Sequence, residues 1–446
     1  MMPTQAQLKR PQVVVVGCGF GGLEATKALR NASVDITVID RQNHHLFQPL
    51  LYQVATAGLT APAIAEPIRR IFRTQRNAKV LMAEVTGVNA ASRFVTLHDG
   101  QSLPFDHLII AAGATHSYFG HNDWATHAPG LKTLDDAFVI RRKMLLAYER
   151  AEALPADADP ALRQRLLTTV VIGGGPTGVE LAGTMVELAR HTLPHEFRTI
   201  RPANARILLI EGGPRVLANY PEVLSASAQR QLEKLGVEVR LNAKVTDIFD
   251  GGVEFLAGAQ GDAAAERIAS SNIVWAAGVA ASPLGKVVAL ATDALLDRSG
   301  RVVVQPDLSL PGYPYISVIG DLAAAMSHVP GKPPAPVPGV SPGAKQMGRV
   351  AAHNILRRLQ GQPTRPFRYV NYGDLATIGR NAAIADVHFP VIGQTRFSGF
   401  AAWLFWLFVH VFFLIGFRNR LVVMIDWALA YFTFDRHARI VVGKDG

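Results

Sequence analysis

Cysteine is almost absent from this sequence, and its scarcity excludes several classes of redox protein. The 446 residues include a single cysteine, Cys18. A disulfide-stapled scaffold, a dithiol redox centre and a cysteine-ligated iron–sulfur cluster each require at least two cysteines. We therefore interpret Cys18 as a small packed residue without a partner thiol.

Charged residues are also few, at 18% of the chain against 49% hydrophobic residues, and this balance excludes wholesale disorder. The net charge of +10 permits nucleic acid or an anionic membrane as a partner. The basic residues are scattered rather than clustered on one helix, so we do not expect nucleic-acid binding. The sequence contains no metal-ligand cluster, and its first ten residues contain no signal-peptide-like stretch, so we expect a cytoplasmic body without a metal.

The carboxyl-terminal region is sharply different in composition. Residues 400–434 hold 12 of the 35 aromatic residues, in two apolar runs on either side of Arg418-Asn419-Arg420. The first run, 400–417, would span about 27 Å as a helix, just short of a hydrocarbon core. The second run is shorter and carries Asp426. Both favour helices lying in the interface of an anionic leaflet, and a buried core or dimer helix is the alternative.

A glycine-rich turn near the amino terminus predicts a dinucleotide-binding unit. The strand-like run 11–16 leads directly into Gly17, Gly19 and Gly22, which have the spacing G-x-G-x-x-G, and a second strand follows and ends at Asp40. The glycines allow the backbone to approach a pyrophosphate at a helix amino terminus. The acid can accept hydrogen bonds from a ribose.

The same pattern recurs 156 residues later. A second strand leads into Gly173, Gly175 and Gly178, and the next strand ends at Glu211. The two units predict two dinucleotides in one chain, one a prosthetic group and one a substrate. Glu211 would bind two ribose hydroxyls but repel a 2′-phosphate, which favours NADH over NADPH, although Arg215 could soften this preference.

Several longer stretches resemble the type II NADH:quinone oxidoreductase family. The segment 40–56, DRQNHHLFQPLLYQVAT, is similar to the flavin-proximal segment of that family, and 111–120, 275–278 and 319–322 are similar to other family motifs. The terminal aromatic helices resemble the family too, so the resemblance covers residues 11–436. Most of these motifs are shared with the wider two-dinucleotide flavoprotein superfamily, whereas 40–56 and the terminal helices are more specific.

The resemblance implies a reaction, its cofactors and its surroundings. It implies FAD, tightly bound in the first Rossmann unit, and NADH as the substrate in the second. Hydride would pass from NADH to FAD, and two electrons would then pass to a membrane quinone without proton pumping. We expect a single-subunit respiratory-chain enzyme bound peripherally to the cytoplasmic face of the inner membrane. Anionic inner-leaflet lipids are the expected partners, with a homodimer as a further option.

The resemblance also implies roles for particular residues. We expect Glu180, Lys345 and Gln346 to act in catalysis, although Glu180 could be an ordinary first-turn acid and Gln346 part of a solvated helix face. His44 and His45 lie in the flavin-proximal segment, but one of them could simply pack or cap, so neither is assigned a role. His410 could line a quinone tunnel or be a structural residue. Besides the six glycines and two acids of the turns, the expected cofactor-binding residues are Gln48, Ala112, Gly113, Gly278, Gly320, Asp321 and Ala344.

The helix expected to carry Lys345 and Gln346 departs from the family pattern. Ser341 is its predicted N-cap and Pro342 its first helical residue, after a segment, 329–342, that contains six prolines. The family has an AQxxxQ-type pattern here, and Pro342 stands in place of the first glutamine. A helix amino terminus at this position would stabilise negative charge on a reduced flavin.

These features together predict the fold and the domain organisation. We expect an α/β protein with two Rossmann-like dinucleotide-binding domains, for FAD and NAD, and a C-terminal membrane-associated helical unit. The FAD domain is expected to be discontinuous, at 11–116 and 305–390, with the NADH domain at 117–304 inserted. Residues 391–446 are expected to form the membrane-anchoring unit.

Three rival functions fit the sequence less well. A sulfide:quinone oxidoreductase would need at least two redox cysteines. A soluble ferredoxin or rubredoxin reductase would have no use for the aromatic terminal region. A non-catalytic, NADH-responsive membrane scaffold would need neither Glu180 nor the flavin-facing helix.

Overall fold

The computed structural model describes residues 10–258, 264–389 and 393–441, and these divide by packing into two units. The first unit takes the described parts of Met1–Leu46, Glu66–Thr115 and Val279–Asn371, and the second those of Phe47–Ala65, His116–Gly278 and Tyr372–Gly446. These packing units differ from the predicted domains, because they place residues 372–390 in the second unit, and the predicted domain boundaries stay predictions. Of the predicted membrane unit, residues 391–392 and 442–446 lie outside the described residues.

The first unit is centred on a six-stranded sheet that carries the first glycine turn. Its strands, in spatial order, are Ser309–Leu310, Tyr313–Val318, His107–Ile110, Gln12–Val16, Asp35–Asp40 and Ala78–Met82. All neighbouring pairs are parallel except the first. The run of four valines in Gln12–Val16 is buried throughout, as expected for a central parallel strand covered on both faces.

Two helices of the first unit, Phe20–Ala28 and Ser341–Leu359, pack closely against each other. The approach requires small residues, because a Cβ at Gly348 would collide with the carbonyl oxygen of Gly21. The other elements assigned to this unit are the strands His44–Leu46, Val85–Asn89, Phe94–Leu97, Ser102–Pro104, Val279–Ala281, Val302–Val303, Ala323–Ala324, Met326–Ser327 and Ala335–Pro336, the helices Ile68–Ile71 and Leu284–Thr292, and the 3-10 turn Gly320–Leu322.

The helix Ser341–Leu359 begins one residue earlier than the sequence predicts. Val340, with extended backbone at φ −132° and ψ 155°, is the N-cap, and Ser341 and Pro342 are already helical. The carbonyl oxygen of Val340 accepts the first intrahelical hydrogen bond, from the N–H of Ala344 at 3.1 Å. The prediction of Ser341 as N-cap is therefore wrong, and Pro342 is tolerated because first-turn N–H groups need no helical acceptor.

The second unit is centred on a four-stranded parallel sheet that carries the second glycine turn. Its strands, in spatial order, are Val237–Arg240, Arg206–Ile210, Thr168–Ile172 and Asn272–Trp275. Helix Pro176–Glu187 follows the turn and packs on strand Gly373–Gly379. That contact requires Gly183, because a Cβ there would collide with the carbonyl oxygen of Ile378.

Two antiparallel three-stranded sheets and further helices complete the second unit. One sheet contains Gly373–Gly379, Ala382–Phe389 and Gly393–Ser398, and the other Ala243–Phe249, Gly252–Ala257 and Ala264–Ala269. The α-helices are Leu51–Ala55, Ala61–Ile64, Leu134–Glu152, Pro160–Leu166 and Glu222–Leu235; shorter turns are Gln48–Leu50, Asn122–Thr126, Leu193–His195 and Pro202–Asn204, with a π-helical stretch at Leu188–Thr192. Two short strands, Ala65–Pro67 and Ala114–His116, lie where the chain passes from one unit to the other.

Two terminal helices, Phe400–Phe413 and Phe417–Thr433, follow in the second unit. The first packs on strand Ala382–Phe389 and buries Ala402 and Trp406. Within the described part of the chain, no helix has the length and apolar character needed to cross a membrane.

The terminal helices leave a set of large apolar side chains exposed. On the first helix these recur every four residues and so share one face. The second helix adds further exposed apolar residues, and the most exposed member of the set, Phe417, has 82% of its surface accessible. We call this set the apolar stripe: Phe400, Leu404, Phe408, Phe412, Phe417, Leu421, Met424, Ile425, Leu429 and Phe432.

Candidate active site

The glycines of the first turn have two different functions in the structure. Gly17 has a positive φ of 91°, and a Cβ on Gly17 or Gly22 would collide with a backbone carbonyl oxygen. A Cβ on Gly19 would meet no atom within 4 Å. The fold itself therefore requires Gly17 and Gly22, whereas Gly19 leaves open the space through which a pyrophosphate can approach the backbone.

Asp40 supports this turn directly. Its Oδ2 accepts a hydrogen bond from the backbone N–H of Cys18 at 2.6 Å, and its Oδ1 accepts one from that of Gln42 at 2.8 Å. Burial raises the pKa of Asp40, and these two hydrogen bonds oppose the rise. Each carboxylate oxygen retains a second lone pair, which a ribose hydroxyl can use.

The second turn repeats this construction. Gly173 has a φ of 110°, a Cβ on Gly178 would collide with a carbonyl oxygen, and a Cβ on Gly175 would meet nothing within 4 Å. Glu211 accepts hydrogen bonds from the N–H of Gly174 at 2.6 Å and from that of Gly213 at 2.7 Å. The second turn is therefore open to a ligand at the same glycine as the first.

Arg215 is bound within its own loop. Its guanidinium donates to the carbonyl oxygens of Ala218 and Tyr220, both at 2.7 Å, and to the hydroxyl of Ser225 at 3.1 Å. These bonds tie Arg215 to the loop rather than to the carboxylate of Glu211. The structure therefore gives no support to the idea that Arg215 softens the coenzyme preference.

The other predicted FAD residues of the first unit lie close to the same sheet edge. Ala112 and Gly113 follow strand His107–Ile110, and Gly320 and Asp321 follow Tyr313–Val318. With the first turn and Asp40, this places predicted residues at the carboxyl ends of four neighbouring strands. Dinucleotides bind at this edge of open parallel sheets. Buried Ala344 lies in helix Ser341–Leu359, where its carbonyl oxygen approaches Gly21 of helix Phe20–Ala28.

Lys345 and Gln346, on the same helix, have different surroundings. The ammonium of Lys345 lies 5.0 Å from the centre of the Phe20 ring, and burial lowers its pKa. Both polar atoms of the Gln346 amide bond the backbone of Val370, each at 2.9 Å. Gln346 thus tethers the chain at residue 370, and its role beside a quinone stays a prediction.

Glu180 is a buried acid of helix Pro176–Glu187, beyond the first turn of that helix, with 8% of its surface accessible. Burial raises its pKa well above that of an exposed glutamate, and a hydrogen bond with the Thr377 backbone opposes the rise. The carboxyl group therefore keeps its proton at pH values where exposed glutamates are ionised. Such a group can act as a proton donor, as the prediction requires.

A polar chain beside Glu180 was not predicted from the sequence. The hydroxyl of Tyr52 accepts a hydrogen bond from Nε2 of Gln53 at 2.9 Å, and Trp427 donates to Oε1 of Gln53 at 2.7 Å. Burial raises the pKa of Tyr52, and the nearby Glu180, once it is ionised, raises it further. The segment 40–56 is identified in the sequence by its family resemblance, but nothing in it indicates a partner on the second terminal helix.

Arg436 is a second residue that the sequence did not reveal. Its guanidinium donates to the carbonyl oxygens of Thr56 at 3.2 Å and Thr184 at 3.4 Å, and lies 3.3 Å from Oε2 of Glu187. Glu187 also accepts a hydrogen bond from the backbone N–H of Arg380. The segment after the terminal helices is thereby attached to the helix that carries Glu180. An arginine just beyond a long apolar run is the only sequence signal for this contact.

Three other predicted positions lie in the second unit. Gln48 is exposed and donates to a backbone carbonyl at 3.1 Å. Gly278 has a φ of 84°, and a Cβ there would lie 2.6 Å from the Phe119 ring. His410 is bonded to the carbonyl oxygen of Trp406 at 2.8 Å and stacks on its indole at 4.0 Å. Burial lowers the pKa of His410 to about 4, so it is neutral, and these contacts fit a structural residue.

Family models match most of the chain. A model described as pyridine nucleotide-disulphide oxidoreductase matches residues 11–348, and one described as the NDH2 C-terminal domain matches residues 372–437. Two curated proteins of Mycobacterium tuberculosis are similar over nearly their whole length. Type II NADH:quinone oxidoreductase NdhA is 46% identical, over 95% of this chain and 87% of that protein. Type II NADH:quinone oxidoreductase Ndh is 44% identical, over 97% and 91%.

Solved structures show the same fold at lower sequence identity. NDH2 from Plasmodium falciparum, in complex with NADH, has a TM-score of 0.85 at 20% identity, over 98% of this chain and 100% of that chain. The sulfide:quinone oxidoreductase of Aquifex aeolicus has a TM-score of 0.71 at 18% identity, over 97% and 96%. The predicted α/β fold with two Rossmann-like units and a terminal helical unit is thereby confirmed.

Proposed function

Because the chain belongs to the type II NADH:quinone oxidoreductase family, we propose that it transfers hydride from NADH to FAD and then two electrons to a quinone, without proton pumping. The family expected from the sequence is confirmed by relatives at 46% and 44% identity and by the matching terminal-domain model. The observation that carries the proposal is the pair of open glycine turns, each held by an acid on the following strand.

The first unit fits FAD. The open space at Gly19 and the amino terminus of helix Phe20–Ala28 suit a pyrophosphate, and Asp40 has lone pairs for a ribose. Asp321, beyond the neighbouring strand, would bind the ribityl–pyrophosphate region. When bound, FAD supplies a ring system that accepts hydride and passes electrons on. The protein's part is to hold and orient that group at the sheet edge.

The second unit fits NADH as the substrate. Gly175 leaves the approach for a pyrophosphate open, and the carboxylate of Glu211 would accept hydrogen bonds from the adenosine ribose. Its negative charge disfavours the 2′-phosphate of NADPH. Because Arg215 is engaged within its own loop, we infer that NADH is preferred.

Glu180 is the residue that we assign to proton transfer. Reduction of a quinone to a quinol consumes two electrons and two protons, of which the hydride of NADH supplies both electrons and one proton. Glu180 is buried, and burial raises its pKa well above that of an exposed glutamate, so in its protonated form it can donate one proton and recover it from water. Lys345 and Gln346 are the further candidates for a place near the acceptor.

The apolar stripe is the surface that we assign to the membrane. Its members include Phe408 and Phe417, which are 65% and 82% exposed, and groups of exposed large apolar side chains mark interaction sites with proteins or membranes. Arg418 lies next to Phe417 on the second terminal helix, where its positive charge would favour binding to an anionic leaflet. We therefore propose interfacial binding to anionic lipids on the cytoplasmic face of the cell membrane, with a membrane quinone as acceptor. A homodimer stays a further prediction.

Absorbance spectroscopy of the protein purified in detergent tests the proposed function. We expect flavin bands that bleach on addition of NADH and return on addition of a short-chain quinone. Bleaching without recovery would contradict the quinone as acceptor and favour a reductase with a soluble acceptor. Folded protein without flavin would contradict the enzyme and favour a non-catalytic scaffold.

A further inference from the structure

The peptide group of Cys18, within the first glycine turn, is held from both sides. Its N–H donates to Oδ2 of Asp40 at 2.6 Å, and its carbonyl oxygen lies 2.8 Å from Nδ1 of His45. A carbonyl oxygen can only accept, so Nδ1 of His45 carries the proton. In a neutral imidazole the other nitrogen, Nε2, is then an acceptor without a proton.

The Nε2 atom of His45 is buried and has no partner within residues 10–258, 264–389 and 393–441. Only 2% of the side chain is accessible. Burial lowers the pKa of His45 to about 4, with the charges of Lys27 and Lys345 in the same direction and Glu24 opposing. The ring is therefore neutral, and a buried acceptor without a donor is costly.

The surroundings of His45 place it beside the open glycine of the turn. It bonds Cys18, which precedes Gly19, and its ring meets that of Phe20, which follows Gly19, edge-on at 5.3 Å. Phe20 in turn contacts the ammonium of Lys345, near the start of helix Ser341–Leu359. His45 therefore lies on the side of the turn that faces this second helix.

We propose that Nε2 of His45 accepts a hydrogen bond from a ribityl hydroxyl of FAD bound at the first turn. The inference rests on the proposed function, because it takes FAD as the occupant. Phosphate oxygens carry no proton to donate to a neutral Nε2, whereas the hydroxyls next to the pyrophosphate do. The adenosine ribose has Asp40 as its acceptor, whereas the ribityl chain has several hydroxyls, so Asp321 and His45 can accept from different ones.

Two substitutions separate the functions of the two ring nitrogens. In His45→Asn, the amide N–H can replace Nδ1 as donor to Cys18, but no atom replaces Nε2. In His45→Gln, the longer side chain brings its amide to the Nε2 position. We expect His45→Asn to weaken FAD binding about two- to tenfold, the loss of one hydrogen bond, and His45→Gln to recover part of it. His44→Asn, at the neighbouring position, is the matched control.

The test is fluorescence titration of FAD into the full-length apoprotein in detergent. Unchanged FAD affinity in folded His45→Asn protein overturns the inference. The same titration with FAD analogues identifies the hydroxyl. The effect of His45→Asn should vanish with an analogue that lacks the bonded ribityl hydroxyl. An effect that instead vanishes only without an adenosine ribose hydroxyl overturns the assignment to the ribityl chain.

Nitrogen NMR of the unmodified protein, labelled with 15N-histidine, needs no substitution. We expect the Nε2 resonance of His45 to move when FAD is removed, while Nδ1 stays protonated. An Nε2 resonance unchanged by FAD overturns the inference. If such a protein still bleaches with NADH and recovers with quinone, the proposed function stands without it. Folded protein that binds no flavin overturns both.

Discussion

Replacing Arg436 with methionine should detach the end of the chain from the helix that carries Glu180. The side chain of Arg436 is 12% accessible and that of its partner Glu187 16%. Methionine keeps the apolar stem and removes the charge and every donor. Removal of one partner from a buried ion pair costs about 3–5 kcal/mol, because the other charge stays buried. Since Glu187 keeps the N–H of Arg380 as a donor, we expect the lower end, about 3 kcal/mol.

Hydrogen exchange measures this loss at the segment concerned. The segment follows helix Phe417–Thr433 and is described as far as residue 441, so peptides covering 428–441 report its local opening. A loss of about 3 kcal/mol corresponds to roughly 150-fold faster exchange of protected amides. Arg418→Met, at an exposed position of the second terminal helix, is the matched control and should leave exchange unchanged. Exchange in Arg436→Met within about threefold of the parent would refute the reasoning.

A double-mutant cycle attributes the effect to the pair. Glu187→Gln alone should accelerate exchange less than Arg436→Met, because the glutamine still accepts a hydrogen bond. Once Arg436 is absent, neutralising Glu187 removes the stranded charge, so the double variant should exchange no faster than Arg436→Met alone. Simple additivity of the two effects would mean that the carbonyl contacts, rather than the ion pair, hold the segment.

Three further predictions concern coenzyme choice, membrane binding and pH. Glu211→Gln should raise the NADPH-to-NADH ratio of kcat/KM at least about fivefold, since two charges about 4 Å apart repel by about 1 kcal/mol even in water; an unchanged ratio contradicts this role. Replacing Phe408, Phe412 and Phe417 with serine should release the protein from sedimenting vesicles, because each buried phenylalanine side chain contributes about 1.5–3 kcal/mol to binding. NADH should still reduce a soluble acceptor. Retention on the vesicles contradicts the assignment of the apolar stripe to the membrane. Because the pKa of Glu180 is raised in the folded protein, its contribution to stability is complete below the ordinary glutamate pKa. That contribution is lost as pH rises through the raised pKa. The melting temperature of Glu180→Gln relative to the parent should therefore increase between about pH 5 and about pH 9, and a constant difference contradicts a protonated Glu180.

The glycine turns were predictable because the information is local. In the first turn, strand, glycines and helix are contiguous, so a run of valines ending at Gly17 already fixes where a ligand could approach. Even the acid is found by reading one strand further. The second role of Asp40, as the acceptor for the N–H of Cys18, could not be predicted from the sequence. That hydrogen bond forms only because the two parallel strands lie side by side.

The contacts around Glu180 were not predictable, because their partners are far apart in sequence. Gln53 and Trp427 are separated by 374 residues, and neither position shows in the sequence which surface it faces. The bonds of the Gln346 amide to the backbone of Val370 were equally hidden, because the two positions are 24 residues apart, and the role of Gln346 near the acceptor stays a prediction. The N-cap at Val340 shows how a proline signal locates a helix start only to within one residue.

The acid that is hydrogen-bonded to each turn determines when the entropic cost of ordering that turn arises. The carboxylates of Asp40 and Glu211 fix the N–H groups of Cys18 and Gly174 through bonds within the chain itself, so the conformational entropy of the turns is lost when the chain folds. Binding then carries no cost of ordering the loop. For FAD this matters once in the life of the molecule. For NADH it recurs in every cycle, because each arriving coenzyme meets a turn that already has its final shape and each departing one leaves that shape intact.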